Sequence, residues 1–325
     1  MRCVYAESQN AEEPLQGLAI AEVAQPQPPA PDWVRVQVRA SALNHHDLWS
    51  LRGVGLSADQ LPMILGTDAA GIDDRGRRVL AHAVISTPDW VGEETLDPGR
   101  TLLSERHPGT LAEYVQVPAR NVVPIPDGLT LTEAACLPTA YLTAYRLLVH
   151  AAQVEPGQRV LIQGAGGGVA TAATVLARAM GAHVTVTSRD AARRERALAA
   201  GAHEAVATGT RIDRVDAVIE TVGEATWEHS LRSLHPGGVV AVAGATSGPA
   251  PSADLNRVFF RSLRVVGSTM GTLEQLYALV AMLQATGVRP VVDSVHSFDD
   301  DAGVRAAFER LASGAAFGKV VLERA

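Results

Sequence analysis

A short apolar run, Val160-Leu161-Ile162, passes through Gln163 into Gly164-Ala165-Gly166-Gly167-Gly168-Val169 and restarts as the helix-forming Ala170-Thr171-Ala172-Ala173. Strand, tight turn and helix follow one another there. Glycines at such a junction let the backbone turn sharply and let a phosphate approach main-chain N–H groups at a helix N-terminus, where the dipole favours negative charge. The pyrophosphate of a dinucleotide fits that description. The G-x-G-x-x-G register reads either from Gly164, ending on Val169, or from Ala165, as Ala165-x-Gly167-x-x-Ala170. The helix then stops near Met180-Gly181, and His183-Val184-Thr185-Val186-Thr187 follows as a second strand, completing a βαβ unit.

That second strand ends Thr187-Ser188-Arg189. A fold preferring NAD places an acidic residue there to accept the ribose hydroxyls. Hydroxyls and a guanidinium suit a 2′-phosphate instead, through charge-assisted hydrogen bonds, with Arg193 or Arg194 a turn further on. Asp190 argues the other way. The expected cofactor is NADPH (NADP).

Two polar clusters earlier in the chain are candidates for substrate contact: Asn44-His45-His46-Asp47-Leu48-Trp49, and Thr67-Asp68 within Leu65-Gly66-Thr67-Asp68-Ala69-Ala70-Gly71. Asp47 and Asp68 read equally as braces for the backbone around a cleft. Residues 131–149 form an apolar helical stretch interrupted at Pro138, with the hydroxyls of Thr139, Tyr141, Thr143 and Tyr145 among small neighbours. Thr139 could equally bond back to its own helix.

The elements that must position these groups fall into two halves. Up to about residue 127 the chain is strand-like: residues 34–40 alternate apolar and polar after a loop marked by Pro26, Pro28, Pro29 and Pro31. Residues 81–107 read as a long loop or lobe able to cover a cleft. Beyond residue 159, strands at 183–187, 216–220, 239–243 and 264–268 alternate with helices at 191–200, 225–234 and 272–286, with a turn at Pro236-Gly237-Gly238. That alternation implies a parallel sheet covered on both faces.

Length and composition are consistent with this. The 325 residues allow two domains, and 47% hydrophobic content supports sizeable cores. A net charge of −7 with no basic stripe speaks against nucleic acid or an anionic membrane and for a small-molecule substrate. There is no apolar signal core and no run of the roughly 18 residues needed to span a bilayer, so the expected location is cytoplasmic. Cys3 and Cys136 are too few for a disulfide framework or a cysteine zinc site and read as packing residues.

The order of motifs resembles the medium-chain dehydrogenase/reductase superfamily over nearly the whole chain. It rests on Ala42-Leu43-Asn44-His45-His46-Asp47-Leu48, Leu65-Gly66-Thr67-Asp68-Ala69-Ala70-Gly71, Ala112-Glu113-Tyr114, Thr143-Ala144-Tyr145, the glycine turn, His235-Pro236-Gly237-Gly238, and Phe317-Gly318-Lys319-Val320-Val321. The resemblance implies an α/β fold. A GroES-like β domain, residues 1–127 with 271–325 returning to it, would accompany a doubly wound parallel-sheet Rossmann domain over residues 128–270. It also implies a homodimer, joined by strands near residues 264–269.

Zinc enzymes of that superfamily hold the metal with two cysteines and a histidine, and the matching positions here carry Asn44, Thr67 and Thr139. A neutral amide and two hydroxyls substitute poorly for thiolate and imidazole. Residues 81–107 also lack the four cysteines of the structural zinc lobe. No metal is expected. The pattern looks like the zinc-independent quinone oxidoreductases and related enone reductases, from which Trp49 and the short 70–76 loop depart.

The implied activity is hydride transfer from NADPH to a quinone or an α,β-unsaturated carbonyl. Asn44, with His46 or Tyr141, would line the acceptor side, and the proton would come from His46, Tyr141 or water. The resemblance places the cofactor against His45, Thr139, Thr143, the turn from Gly164 through Ala165, Gly166, Gly167 and Gly168 to Val169, Ser188, Arg189, Arg193, Gly244, Phe317 and Lys319. Two rivals stand beside this reading. One is a protein that binds NADPH without turnover; the other is a zinc alcohol dehydrogenase with displaced ligands drawn from His45, His46 and Asp68.

Overall fold

The computed structural model describes residues 1–324 and divides them into two units. The first comprises Met1–Thr139, Gly271–Gln284 and Val292–Ala325, the second Ala140–Met270 and Ala285–Val291. The chain leaves the first unit after Thr139 rather than after Asp127, because the helix beyond residue 130 packs on the first unit's strands.

In the first unit the chain forms β1 (Arg2–Ala6), β2 (Leu18–Glu22), β3 (Trp33–Ala42), α1 (His45–Leu51), β4 (Met63–Ile64), β5 (Ala69–Asp73) and β6 (Arg78–Ala81). The hairpin strands β7 (Val84–Ile85) and β8 (Thr101–Leu102), then β9 (Tyr114–Pro118), β10 (Val122–Pro124) and α2 (Leu131–Ala135) follow. The main sheet runs β10-β6-β5-β3 and is completed by two strands from the far end of the chain, described below; β9 also pairs with β3.

The inner face of β3 is dry because its apolar residues alternate: Val36 and Val38 are buried between partly exposed neighbours. Thr130 and Glu133 cap α2 reciprocally. The expected lobe at residues 81–107 is ordered by the β7–β8 pair and by Asp97, whose carboxylate accepts from Thr87 N, Thr87 Oγ1 and Gly99 N.

The second unit continues with α3 (Leu142–Arg146), flanked by π-helical turns at Leu137–Tyr141 and Leu147–Ala151, so the stretch expected to break at Pro138 is wound through it. Then come β11 (Arg159–Ile162), α4 (Gly168–Ala179), β12 (His183–Thr187), α5 (Ala191–Ala199), β13 (Glu204–Val206), β14 (Val215–Glu220), α6 (Glu224–Ser233), β15 (Leu234–Val242), α7 (Leu255–Phe260) and β16 (Arg264–Gly267).

All six strands are parallel in the order β13-β12-β11-β14-β15-β16, with the order in which successive strands are added reversing beside β11. Strand β14 reads as an almost continuous buried run, as a strand covered on both faces should. Strand β13 was not anticipated. The Pro236-Gly237-Gly238 segment, expected as a turn, is a bulge inside β15: pairing steps from Val215↔Leu234 to Ala217↔Val239, with Gly237 at φ 82°.

The returning chain forms α8 (Leu273–Thr286), β17 (Val292–Ser297), α9 (Asp301–Ala312) and β18 (Lys319–Glu323). β18 pairs with β3 and β17 with β18, which completes the first unit's main sheet. Phe298, Val304, Phe308, Val320 and Leu322 share a core with Val4, Leu43, Leu51 and Leu65. No helix among the described residues is long and apolar enough to cross a membrane.

Candidate active site and cofactor cradle

In the first unit the chemistry-bearing residues meet where β3 ends, α1 begins and β18 returns. Asp47 ties the two polar clusters together: Asp47 Oδ2 accepts from Asn44 N (2.8 Å) and Asp47 Oδ1 from Gly66 N (3.0 Å). It braces the backbone, and burial pushes its carboxyl up, against the lowering effects of His46, the Asn44 N–H and Lys319. Gly66 has φ 99°, and a Cβ there would lie 2.4 Å from Thr110 Oγ1 and 2.9 Å from Leu111 N, so only glycine lets the chain turn into Thr67-Asp68.

Lys319 enters from β18 with 2% of its surface exposed. Its Nζ donates to Leu43 O (2.8 Å), Asn44 Oδ1 (2.5 Å) and Asp68 Oδ2 (3.0 Å). Three donors meet three acceptors, so the ammonium expected to reach the cofactor is committed to this cluster. Asn44 Nδ2 in turn donates to Asp68 Oδ2 (2.9 Å) and stands 3.2 Å from both Thr67 Oγ1 and Ala42 O. Asn44, expected to line the acceptor side, therefore has its amide protons engaged inward and orients its neighbours. Thr67 Oγ1 is 3.0 Å from Thr139 Oγ1.

Beside this cluster His46 Nε2 pairs with Glu105 Oε1 at 2.9 Å. Desolvation pulls the His46 pKa down, yet the Glu105 hydrogen bond and the Asp47 and Glu105 charges outweigh it, and the net direction is up. His45, on the exposed first turn of α1, goes the other way: desolvation lowers it, helped by the Lys319 and Arg52 charges. Burial pushes Cys3 up to about 11 and Cys136 to about 12, as befits thiols that pack and do not react.

In the second unit the glycine turn divides its duties. Gly164 (φ 76°) and Gly166 (φ 120°) take left-handed conformations, so the backbone demand falls on the register read from Gly164. Gly167 has an ordinary φ of −65° and caps α4, and a Cβ there would meet nothing within 4 Å. Neither strain nor packing requires glycine at 167, but a ligand lying against the α4 N-terminus would; Gly168 and Val169 open that helix. Ala165 is buried and tied to β12 through its N–H to Thr187 O (2.7 Å).

Buried groups that the sequence motifs do not single out hold this turn. Thr187 Oγ1 donates to Gln163 Oε1 (2.6 Å), and Gln163 Nε2 reaches Ser230 Oγ (3.0 Å), which reaches Glu220 Oε2 (2.6 Å). The Glu220 carboxylate also accepts from Val222 N and Gly223 N.

At the end of β12 the Arg189 side chain is exposed and makes no hydrogen bond or ion pair among the described residues. Asp190, the residue that argued for NAD, caps α5 by accepting from Arg193 N (3.2 Å). Ser188 is buried, with Oγ accepting from Asp190 N, and Arg194 Nη1 donates to Ser188 O. Arg189 is thus the freest of the expected 2′-phosphate ligands.

The remaining expected residues have these surroundings. Tyr141 has none of its surface exposed and its hydroxyl accepts from Val291 N (2.6 Å), so a role facing the acceptor is replaced by packing. Thr143 is buried on α3; Phe317 is buried with its N–H on Asp293 Oδ1; a Cβ on Gly244 would lie 3.0 Å from Thr221 O.

A parallel sheet whose glycine turn opens a helix, in a chain whose other unit carries a buried polar cluster at a strand end, is the architecture of a two-domain dehydrogenase or reductase. The chain belongs to the medium-chain dehydrogenase/reductase superfamily and is an oxidoreductase of it. Residues 30–127 match the alcohol dehydrogenase GroES-like domain and residues 168–285 the zinc-binding dehydrogenase domain.

A zinc-type alcohol dehydrogenase-like protein of Schizosaccharomyces pombe is 31% identical over 92% of both chains. An acryloyl-coenzyme A reductase of Sulfurisphaera tokodaii is 29% identical over 88% of this chain and 91% of that one. The crystal structure of an NAD-dependent alcohol dehydrogenase superposes with a TM-score of 0.91 at 32% identity, over 99% of both chains.

The zinc that the second domain's description implies does not fit the residues present. Asn44 Oδ1 is taken by an ammonium, the Thr67 and Thr139 hydroxyls bond each other, and the nearest carboxylate, Asp68, is paired with Lys319. The displaced set of His45, His46 and Asp68 does not converge either: among the described residues no three His, Cys, Asp or Glu side chains gather as metal ligands.

Proposed function

We propose that this chain is an NADPH-dependent reductase of carbonyl-conjugated double bonds, in unsaturated thioesters and enones or in quinones, working without zinc as a cytoplasmic homodimer. One observation carries the reading: a buried ammonium bonded to Asn44 and Asp68 stands where a metal enzyme of this superfamily needs free ligands. Without a metal to polarise an isolated carbonyl, the acceptor must already be electron-poor. The similarity to an acryloyl-coenzyme A reductase supports an unsaturated thioester among such acceptors.

The N-terminus of α4 would hold the pyrophosphate across Gly166, Gly167 and Gly168, and Arg189 the 2′-phosphate. When bound, the reduced nicotinamide supplies a hydride. The protein contributes orientation, hydrogen bonds to the oxygen that gains charge, and a proton. His46, held by Glu105 and raised above the ordinary histidine value, is suited to store that proton.

The test is NADPH oxidation by the full chain, pretreated with a chelator, against crotonyl-coenzyme A, 2-cyclohexenone, benzoquinone and acetaldehyde. Turnover of the conjugated compounds and not of acetaldehyde is expected. Reduction of acetaldehyde that disappears with the chelator would restore the zinc reading, and tight NADPH binding with no turnover would favour the non-catalytic one.

A further inference from the structure

We propose that Thr139 donates the hydrogen bond to the substrate's carbonyl oxygen, its hydroxyl polarised by the Lys319 ammonium through Asn44 and Thr67. This rests on the reading that a conjugated carbonyl compound is reduced.

The direction of the relay follows from what each group can do. An ammonium only donates, so the Asn44 atom 2.5 Å from Lys319 Nζ is the carboxamide oxygen. A carboxylate only accepts, so the atom 2.9 Å from Asp68 Oδ2 is Asn44 Nδ2. The two constraints agree and fix the amide orientation. One amide proton goes to Asp68 Oδ2, and the other is shared between Ala42 O and Thr67 Oγ1. Thr67 accepts that bond, and its contact with Thr139 Oγ1, 3.0 Å away, could run in either sense; Thr67 is buried and has no other acceptor among the described residues, so its own proton goes to Thr139, whose hydroxyl is the more accessible of the two. Thr139 makes no other hydrogen bond among the described residues, so its proton is left over.

Burial runs the same way. Lys319, Asp68, Thr67 and Asn44 are closed off, at 2%, 0%, 1% and 9% exposure, whereas Thr139 is only half-buried. The relay starts at a fixed positive charge in the interior and ends on an O–H at the accessible side. In such surroundings successive hydrogen bonds polarise one another.

As a hydride from NADPH adds to the β-carbon, the C=C π electrons shift and negative charge collects on the carbonyl oxygen. Protonation of the α-carbon then restores the carbonyl, leaving the saturated product and NADP⁺. A donor aimed at that oxygen binds the enolate more tightly than the ground-state carbonyl and so acts on kcat. Thr139 is the catalytic residue in this scheme; Thr67, Asn44 and Lys319 are positioning residues.

The test uses the full chain with NADPH and crotonyl-coenzyme A or 2-cyclohexenone. Thr139→Ala should lower kcat by about 100- to 1,000-fold, the scale of one lost oxyanion donor. KM should change by less than about threefold, and NADPH affinity should stay as it is. Thr139→Ser, which keeps the hydroxyl, should recover most of the loss, and Thr139→Val should not. Thr67→Val should slow the wild-type chain but add little to Thr139→Ala, because both act on one donor. Wild-type kcat in Thr139→Ala, failure of serine to rescue, or multiplying losses would each overturn the proposal while the wild type still turns over. No turnover by the wild type would remove the functional reading along with it.

Discussion

Lys319, on the last strand of the chain, forms a 3.0 Å ion pair with Asp68, 251 residues earlier, and both side chains are shut off from solvent. Removing one partner of such a pair strands the other. Lys319→Met should destabilise the protein by about 3–5 kcal/mol, whereas Lys319→Met combined with Asp68→Asn should cost less than the two singles summed. Urea unfolding followed by tryptophan fluorescence checks this, since Trp33, Trp49 and Trp90 lie in the same unit. Additive losses would mean that the two side chains are energetically independent.

Arg189 and Asp190 are adjacent, and the structure gives them different work. Arg189→Ala should weaken NADPH binding by about ten- to a hundredfold, the scale of a hydrogen bond to a charged group, and leave NADH binding unchanged. Asp190→Ala removes the α5 cap and should cost about 1 kcal/mol of stability without altering the NADPH/NADH ratio. Fluorescence titration of each variant with both cofactors decides; a ratio that moves with Asp190 instead of Arg189 would reverse the assignment.

His46 should titrate above the ordinary histidine value, and Glu105→Gln should bring it down by removing the carboxylate that favours the imidazolium. A raised folded-state pKa gives stability that is present below the unfolded value and is lost as pH rises through the folded one. The His46–Glu105 contribution should therefore fade toward alkaline pH. NMR titration of the imidazole reads this directly, and a His46 pKa unmoved by Glu105→Gln would show that the pair is not coupled.

His82 is wholly buried with neither ring nitrogen hydrogen-bonded among the described residues, and burial lowers its pKa to about 4. Between that value and the unfolded one near 6.5 the unfolded chain binds the extra proton, so stability rises with pH across the window and is lost as pH falls through it. The full effect approaches about 3 kcal/mol, because crossing one pH unit of that window changes the stability by about 1.4 kcal/mol. Comparing unfolding free energies at about pH 7 and about pH 4.5 for wild type and His82→Leu tests this; equal acid sensitivity in the two would assign the loss to other groups.

The proposed homodimer has an edge available in β16, whose Val265 is exposed along with Leu255, Phe259 and Phe260 of the preceding helix segment. An unpaired edge strand beside exposed aromatics favours association. Sedimentation at micromolar concentration should give a dimer for the wild type and a monomer for Val265→Lys combined with Phe260→Asp. A monomeric wild type would leave that edge without a second copy to cover it.

The glycine turn, the βαβ unit after it and the alternating strands of the second half were legible because each is a local pattern. Gly164 and Gly166 answer a local backbone demand, and the apolar periods of β11, β12 and β14 suit a buried parallel sheet wherever they occur. The Asn44, Thr67 and Thr139 departures from metal-ligand types could likewise be read off residue by residue. Asp190 could not: an acidic residue after a strand looks the same whether it faces a ribose or caps a helix, and only the position of Arg193 N distinguishes them.

The site itself was decided by tertiary structure. Nothing near Lys319 in the chain says that its ammonium turns inward to Asn44 and Asp68, because their meeting depends on β18 pairing with β3 across most of the sequence. Glu105, in a segment without apolar period, gains meaning only beside His46. Tyr141 looked like a reactive phenol among small neighbours until the returning Val291 closed over its hydroxyl. Residue types and short spacings set which chemistry was possible, whereas the directions of the hydrogen bonds depend on which groups long-range pairing brings within 3.0 Å of one another.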